Sequence, residues 1–204
     1  SGSTDNHATS GLKFKVLVDF LSLGCSILLS DVDVIWLSDP FAPLYRDSDI
    51  EGMSDGWDEA TAYGHNSGSG TLRIHARNSG MFFVQATHEA LGMFKRLARR
   101  METEGTWDQS AYNQEQFHPA VGAKLSVGVT SRVMNYLCNL NSKNFFRFLR
   151  HDAELLHGYK PRSLHINYHP EKPQRMVDVL AQYHDGKKGA IDKWHWGVGM
   201  KWTK

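Results

Sequence analysis

At 204 residues, with 41% apolar and 22% charged residues and a formal net charge of +1, the chain is sized and composed for one globular domain with a real core. The near-neutral balance gives no footing to nucleic acid or an anionic membrane surface as a partner. No stretch reaches the roughly 18 apolar residues of a membrane span, and no secretory signal is visible.

Residues 1–10 are small and polar and are expected to be a disordered leader, with Ser1-Gly2-Ser3 as a cloning scar of a fragment cut from a longer protein. The domain is then residues 11–204. Gly11 to Leu23 carries Leu12, Val16, Leu17, Phe20, Leu21 and Leu23 near helical spacing, and Gly24 follows as a C-terminal cap. Lys13 and Lys15 in its first turns are either solvated or within reach of a phosphate. Ile27 to Leu37 is an apolar run expected to form a buried central strand, and Asp39-Pro40 turns the chain. Residues 41–59 are acidic and read as an irregular surface segment. Residues 60–64, 71–74 and 80–85 read as strands, with a loop at 66–70 and a turn at Arg77-Asn78-Ser79-Gly80. His88 to Glu102 and Thr106 to Phe117 read as helices, Thr106 as an N-cap, and residues 124–129 as a strand. Residues 133–148 resist assignment. Residues 163–169 read as a strand running into Pro170, and Glu171 to Tyr183 as a helix. Trp194, Trp196 and Trp202 either pack back on the body or form an aromatic sugar platform. Cys25 and Cys138 lie in apolar contexts that favour buried thiols over a bridge. Helices and strands alternate, so the fold class is α/β with a mixed sheet.

The chemistry centres on Asp31 and Asp33. They interrupt the apolar run where a strand should end, and residues i and i+2 of a strand point the same way. Two acids there repel unless a cation joins them, and hard oxygen ligands suit Mg²⁺ or Mn²⁺ with a phosphate-bearing substrate. The plain alternative is a pair of solvated loop acids. His165, near the end of a later strand, is a candidate third ligand, and Lys172 beyond the Pro170 turn could neutralise a diphosphate. The alternative for His165, and the preferred reading for His169, is a structural histidine. Asn78, Ser79 and Gly80 could serve a sugar or form a plain turn. Asp108 and Gln109 could orient hydroxyls, or Asp108 could merely complement a helix dipole.

Leu28-Leu29-Ser30-Asp31-Val32-Asp33-Val34-Ile35-Trp36-Leu37-Ser38-Asp39-Pro40-Phe41 resembles the metal-site signature of the family 77 nucleotide-diphospho-sugar glycosyltransferases. The similarity continues, in order, through Tyr45-Arg46-Asp47-Ser48-Asp49, Asn78-Ser79-Gly80, Trp107-Asp108-Gln109 and His165 to Lys172, over residues 11–190. Within the family it is greatest to the arabinosyltransferases that extend arabinose chains on hydroxyproline-rich cell-wall glycoproteins such as extensin. The resemblance implies a GT-A, Rossmann-like fold, a UDP-sugar donor, Mn²⁺ or Mg²⁺, retention of anomeric configuration, and a Golgi-lumenal domain in a type II membrane parent. It implies Asp31 at ribose and metal, Asp33 and His165 at metal, Lys172 at the diphosphate, and Asn78, Gly80, Asp108 and Gln109 at the sugar and acceptor end. A GT-A domain normally opens with a βαβ unit holding uracil, whereas residues 1–26 supply one helix, so a fold lacking that unit is expected. The competing functions are a non-catalytic sugar-binding or assembly module on the same fold, and a haloacid-dehalogenase-type phosphohydrolase. The latter is disfavoured by Ile35 two residues after the second acid and by the lack of a downstream acidic pair.

Overall fold

The computed structural model describes residues 3–63, 77–117 and 128–194. They form two compact units, one of Ser1–Ser30 with Leu44–Met134 and one of Asp31–Pro43 with Asn135–Lys204. No helix among the described residues is long and apolar enough to cross a membrane. The expected loop at 66–70, the strand at 71–74, most of the strand at 124–129, and Trp196 and Trp202 lie outside the described residues.

The first unit is built on a four-stranded mixed sheet of order β1-β4-β3-β5: β1 (Ile27–Ser30), β3 (Ile50–Ser54), β4 (Arg77–Val84) and β5 (Ser131–Val133). β1 and β3 run antiparallel to β4, and β5 runs parallel to β3. Helices α1 (Ser3–Ser22), α3 (His88–Thr103) and α4 (Asp108–Phe117) supply the apolar layer. Phe82 stacks on Tyr112 with centroids 4.9 Å apart and on Phe94 at 5.7 Å, and Phe14 meets Phe94 at 6.1 Å. Such ring pairs add to the burial of the rings themselves. Thr87 caps α3 by accepting from Ala90 N, which satisfies an otherwise orphaned amide. Gly24 at φ +79° ends α1, with Cys25 N donating to Phe20 O and Gly24 N to Leu21 O, a paired C-terminal motif that a left-handed residue permits.

The second unit carries a three-stranded sheet of order β2-β7-β6: β2 (Val34–Trp36), β6 (Asn139–Asn141) and β7 (Ser163–His165). β2 is antiparallel and β6 parallel to β7. Its core joins Ile35, Leu140 and Leu164 of the sheet to Phe145, Phe146 and Leu149 and to Val179 of α6 (Lys172–Tyr183). Phe145 and Phe146 fall in a π-helical turn, Asn144–Phe148, that precedes a short 3₁₀ turn and α5 (Ala153–Gly158). Trp194 packs on this core and donates from Nε1 to Asp178 Oδ2 at 2.5 Å, which is the packing role for the one tail tryptophan that is described.

Several sequence expectations are corrected. The single central strand over 27–37 is two strands in two sheets, and β1 is a half-buried strand that, among the described residues, pairs with β4 alone. The polarity of Ser30, Asp31 and Asp33 and the turn bond from Val34 N to Asp31 O divide the run. The acids therefore share a turn and not a strand face. Residues 60–62 belong to a short helix, α2 (Glu59–Ala62), closed by a reciprocal Asp58–Thr61 capping box. The acidic segment 41–59 hides β3, buried throughout, because Ile50 and Met53 lie in the interior. Residues 77–80 are strand and not turn, since the side chains of Asn78 and Ser79 find partners within the unit and Arg77 N donates to Asn113. α1 begins at Ser3; Phe14, Leu17 and Leu21 in it are buried, while Leu12, Val16 and Phe20, and Leu23 just beyond its end, are exposed. Cys25 is exposed and Cys138 half-buried, both as free thiols.

Candidate functional site

Strand register assembles the first cluster. β2 and β7 pair with Val34 opposite His165, and Ile166 N donates to Asp33 O at 2.8 Å. An antiparallel partner thereby sets the imidazole beside the residue preceding Val34. His165 Nε2 lies 3.1 Å from Asp33 Oδ1, and Lys172, the first residue of α6, donates from Nζ to Asp33 Oδ2 at 2.6 Å. One ligand atom each from Asp31, Asp33 and His165 fall within 4.8 Å of one another. Val32 between the acids is 96% exposed, so the turn stands at the surface while Asp33 is buried.

Burial pushes the Asp33 carboxyl up. Hydrogen bonding and charge from His165, then from Lys172, outweigh it and hold the group at about 2. Asp33 is thus an anion at neutral pH, as a metal ligand must be. Two carboxylates and one imidazole are a hard, oxygen-rich donor set that fits Mn²⁺ or Mg²⁺. The shell behind it includes Ser142, whose hydroxyl donates to His165 O at 3.1 Å, and Asn167, whose carbonyl oxygen accepts from Ser142 N at 3.2 Å. Lys143 sits 4.6 Å from the ring centroid of Tyr168, a residue held at φ +67°. Ser142 and Lys143 were not singled out from sequence, because 133–148 showed no clean period, and Asn167 was given no role in the strand assigned to 163–169. His169 is structural: it is buried edge-on against Phe146, at 5.2 Å between centroids. Burial and then the neighbouring Arg175 charge lower its pKa to about 4.

The other predicted residues gather in the first unit. Asp55, buried at the end of β3, accepts from Asn78 Nδ2 at 2.8 Å and from Gln109 Nε2 at 2.7 Å. Because a carboxylate only accepts, both amides must turn their nitrogens inward. Their oxygens then accept from Gly80 N at 2.8 Å and from Ser79 N at 3.3 Å. Ser79 Oγ donates to Asp108 Oδ2 at 3.3 Å, and Lys13 pairs with the same oxygen at 2.8 Å while donating to Ser79 O at 3.2 Å. A phosphate at Lys13 would have to displace Asp108. Asn113 fastens α4 to β4 through Arg77 N, at 3.1 Å, and Arg77 O, at 2.8 Å. Asp55 was missed because Ser54-Asp55-Gly56 reads as loop. The following Gly56 was the available signal: a Cβ there would lie 2.2 Å from the Ala62 backbone, so α2 packs directly on the strand exit.

The structure thus brings Asp31, Asp33, His165 and Lys172 together in one unit, and Lys13, Asn78, Gly80, Asp108 and Gln109 in the other. A nucleotide-diphospho-sugar transferase family matches residues 1–178. Arabinosyltransferase RRA2 of Arabidopsis thaliana is 41% identical over 201 residues, covering 93% of this chain and 47% of the relative. Arabinosyltransferase RRA1 of the same plant is 40% identical over 199 residues, covering 92% and 49%. The chain spans about half the length of these relatives. No solved structure matches it. The mixed-sheet α/β architecture agrees with a GT-A-like fold, and the chain belongs to the nucleotide-diphospho-sugar transferase family.

Proposed function

We propose that this chain carries the catalytic part of a retaining, metal-dependent glycosyltransferase. It moves a sugar, arabinofuranose, from a UDP-sugar to the glycan of a hydroxyproline-rich cell-wall glycoprotein in the Golgi lumen. The observation that carries this reading is the convergence of Asp31, Asp33 and His165, with Lys172 on Asp33. The names of the relatives support the choice of sugar.

In this mechanism Asp31, Asp33 and His165 hold Mn²⁺ or Mg²⁺. Such an ion, when bound, neutralises charge developing on the departing diphosphate. Lys172 is 43% exposed at its side chain and turns from Asp33 to the diphosphate, adding a second positive charge. Within the first unit, Asp55 orients the side-chain amides of Asn78 and Gln109. Asp108 is held by Lys13 and Ser79 within the first unit, and no covalent intermediate on it is proposed. The acceptor hydroxyl adds to the anomeric carbon on the face that the diphosphate leaves. The old carbon–oxygen bond breaks, and the hydroxyl proton passes to a departing phosphate oxygen.

Calorimetry of UDP with the wild type and Asp33→Asn, with Mn²⁺ or with EDTA, tests the site. The expected result is binding that needs Mn²⁺ and is lost in the variant. UDP affinity indifferent to both changes overturns the assignment. Metal-dependent UDP binding with no hydrolysis or transfer of a UDP-sugar would leave a non-catalytic sugar-binding module instead.

A further inference from the structure

Tyr45 is 71% exposed, yet the backbone beneath it is fastened with unusual care. Glu51 in β3 is 1% exposed, and its carboxylate accepts from Tyr45 N at 3.1 Å and from Arg46 N. Arg46 is held at φ +57°, a left-handed conformation that costs a non-glycine residue about 1 kcal/mol. Gln85 Nε2 donates to Arg46 O at 2.8 Å and to Ser48 O at 2.8 Å, closing the same loop. A buried carboxylate and a strained residue persist only where the surroundings over-determine them, and such expense clusters at ligand clamps.

The held ring has a second support. Arg132 of β5, opposite Glu51 in the β3–β5 register, places its guanidinium carbon 4.4 Å from the Tyr45 centroid. Asp47 fixes that guanidinium from the side, with Nε to Oδ1 at 2.8 Å and Nη2 to Oδ2 at 2.5 Å. One face of the phenol ring therefore rests on Arg132, and the exposure of the residue leaves the rest of the ring to solvent. A rigid aromatic face suits the C–H face of a saccharide ring. The bidentate pair is neutral overall and leaves the Nη1 hydrogens of Arg132 as donors. Donors beside a compensated charge match neutral hydroxyls better than phosphates, which favours a glycan over a nucleotide.

We propose that Tyr45, backed by Arg132, is a stacking subsite for a saccharide ring of the acceptor glycan. The identity of that glycan rests on the proposed function. The test measures an arabinofuranose oligosaccharide, and separately UDP with Mn²⁺, against wild type, Tyr45→Ala and Tyr45→Phe by calorimetry, with thermal unfolding to confirm folding. The expected result is about a tenfold weaker oligosaccharide affinity in Tyr45→Ala, with Tyr45→Phe within about twofold of wild type. UDP affinity should not move in either variant. Equal oligosaccharide binding by wild type and Tyr45→Ala, or none by wild type, overturns the subsite. A loss confined to UDP overturns it in favour of a nucleobase platform. Tyr45-dependent oligosaccharide binding without any Mn²⁺-dependent UDP binding would instead sink the proposed function and leave the subsite standing.

Discussion

The two polar clusters differ in what each brings together. Around Asp55 each carboxylate or amide meets a protein partner: two amides on one acid, a lysine and a serine on the other. Around Asp33 two acids and an imidazole converge with one half-exposed lysine to balance them. Two amides on one acid hold each other still, whereas two acids and an imidazole with ligand atoms within 4.8 Å of one another are a donor set that suits a cation. The comparison teaches that proximity to a motif does not make a residue a ligand. The first cluster is built of amides on an acid, and the second is the one proposed to bind a metal.

The largest expected effect tests that division directly. Asp33→Ala should weaken Mn²⁺-dependent UDP binding by about a hundredfold or more, because a metal ligand is gone. It should also lower unfolding free energy by about 1–2 kcal/mol, since its anion is stabilised by His165 and Lys172. A variant as stable as wild type would show that repulsion from Asp31 dominates, which is the expectation from sequence alone. Asp55→Ala is the matching experiment in the first unit. It removes the shared acceptor of two amides and should cost about 2–3 kcal/mol in chemical unfolding, while UDP affinity stays within about twofold. A large loss of UDP affinity would break the distinction between a positioning network and a binding cluster.

The pH profile sharpens the comparison within the second unit. His169 is held at about 4 in the folded protein against an ordinary 6.5. The unfolded chain takes up its proton first, so this contribution is complete above 6.5 and is lost as pH falls towards 4. After allowance for partial solvent access it amounts to about 2 kcal/mol. As pH falls through this window, wild type should lose stability relative to His169→Phe, read as melting temperature; a difference that does not change with pH would refute the assignment. The smallest effect separates two neighbouring lysines. Lys15 pairs with Glu102 with both side chains about half exposed, whereas Lys13 and Asp108 are 18% and 12% exposed. Lys15→Met should change stability by less than about 0.5 kcal/mol, and Lys13→Met by about 2 kcal/mol. Equal effects would mean that burial does not distinguish the pairs.

Helix α3 was legible because its apolar spacing is regular, and α6 because Pro170 precedes it; α4 was found, but it starts at Asp108 and not with Thr106 as its N-cap. β3 and the start of β4 were not, because Glu51, Asn78 and Ser79 are polar yet buried. A hydropathy pattern places such residues outside. The second face of α1 misled for the opposite reason. Leu12, Val16 and Phe20 complete a helical stripe but remain exposed, since period alone does not say which stripe meets α3.

By itself the sequence determined the α/β alternation, the two acids at the end of an apolar run, and the order of motifs that leads from Asp31 to Lys172. These rest on local spacing, which side-chain periodicity and turn chemistry make readable. Only the tertiary structure decided that the apolar run divides between two sheets, that His165 lies beside Asp33, and that Asp55 orients Asn78 and Gln109. Those relations depend on strand register and on contacts between residues 23 to 139 positions apart. A one-residue slip of β7 against β2 would turn the imidazole to the opposite face of its sheet, and nothing local to either strand specifies the register.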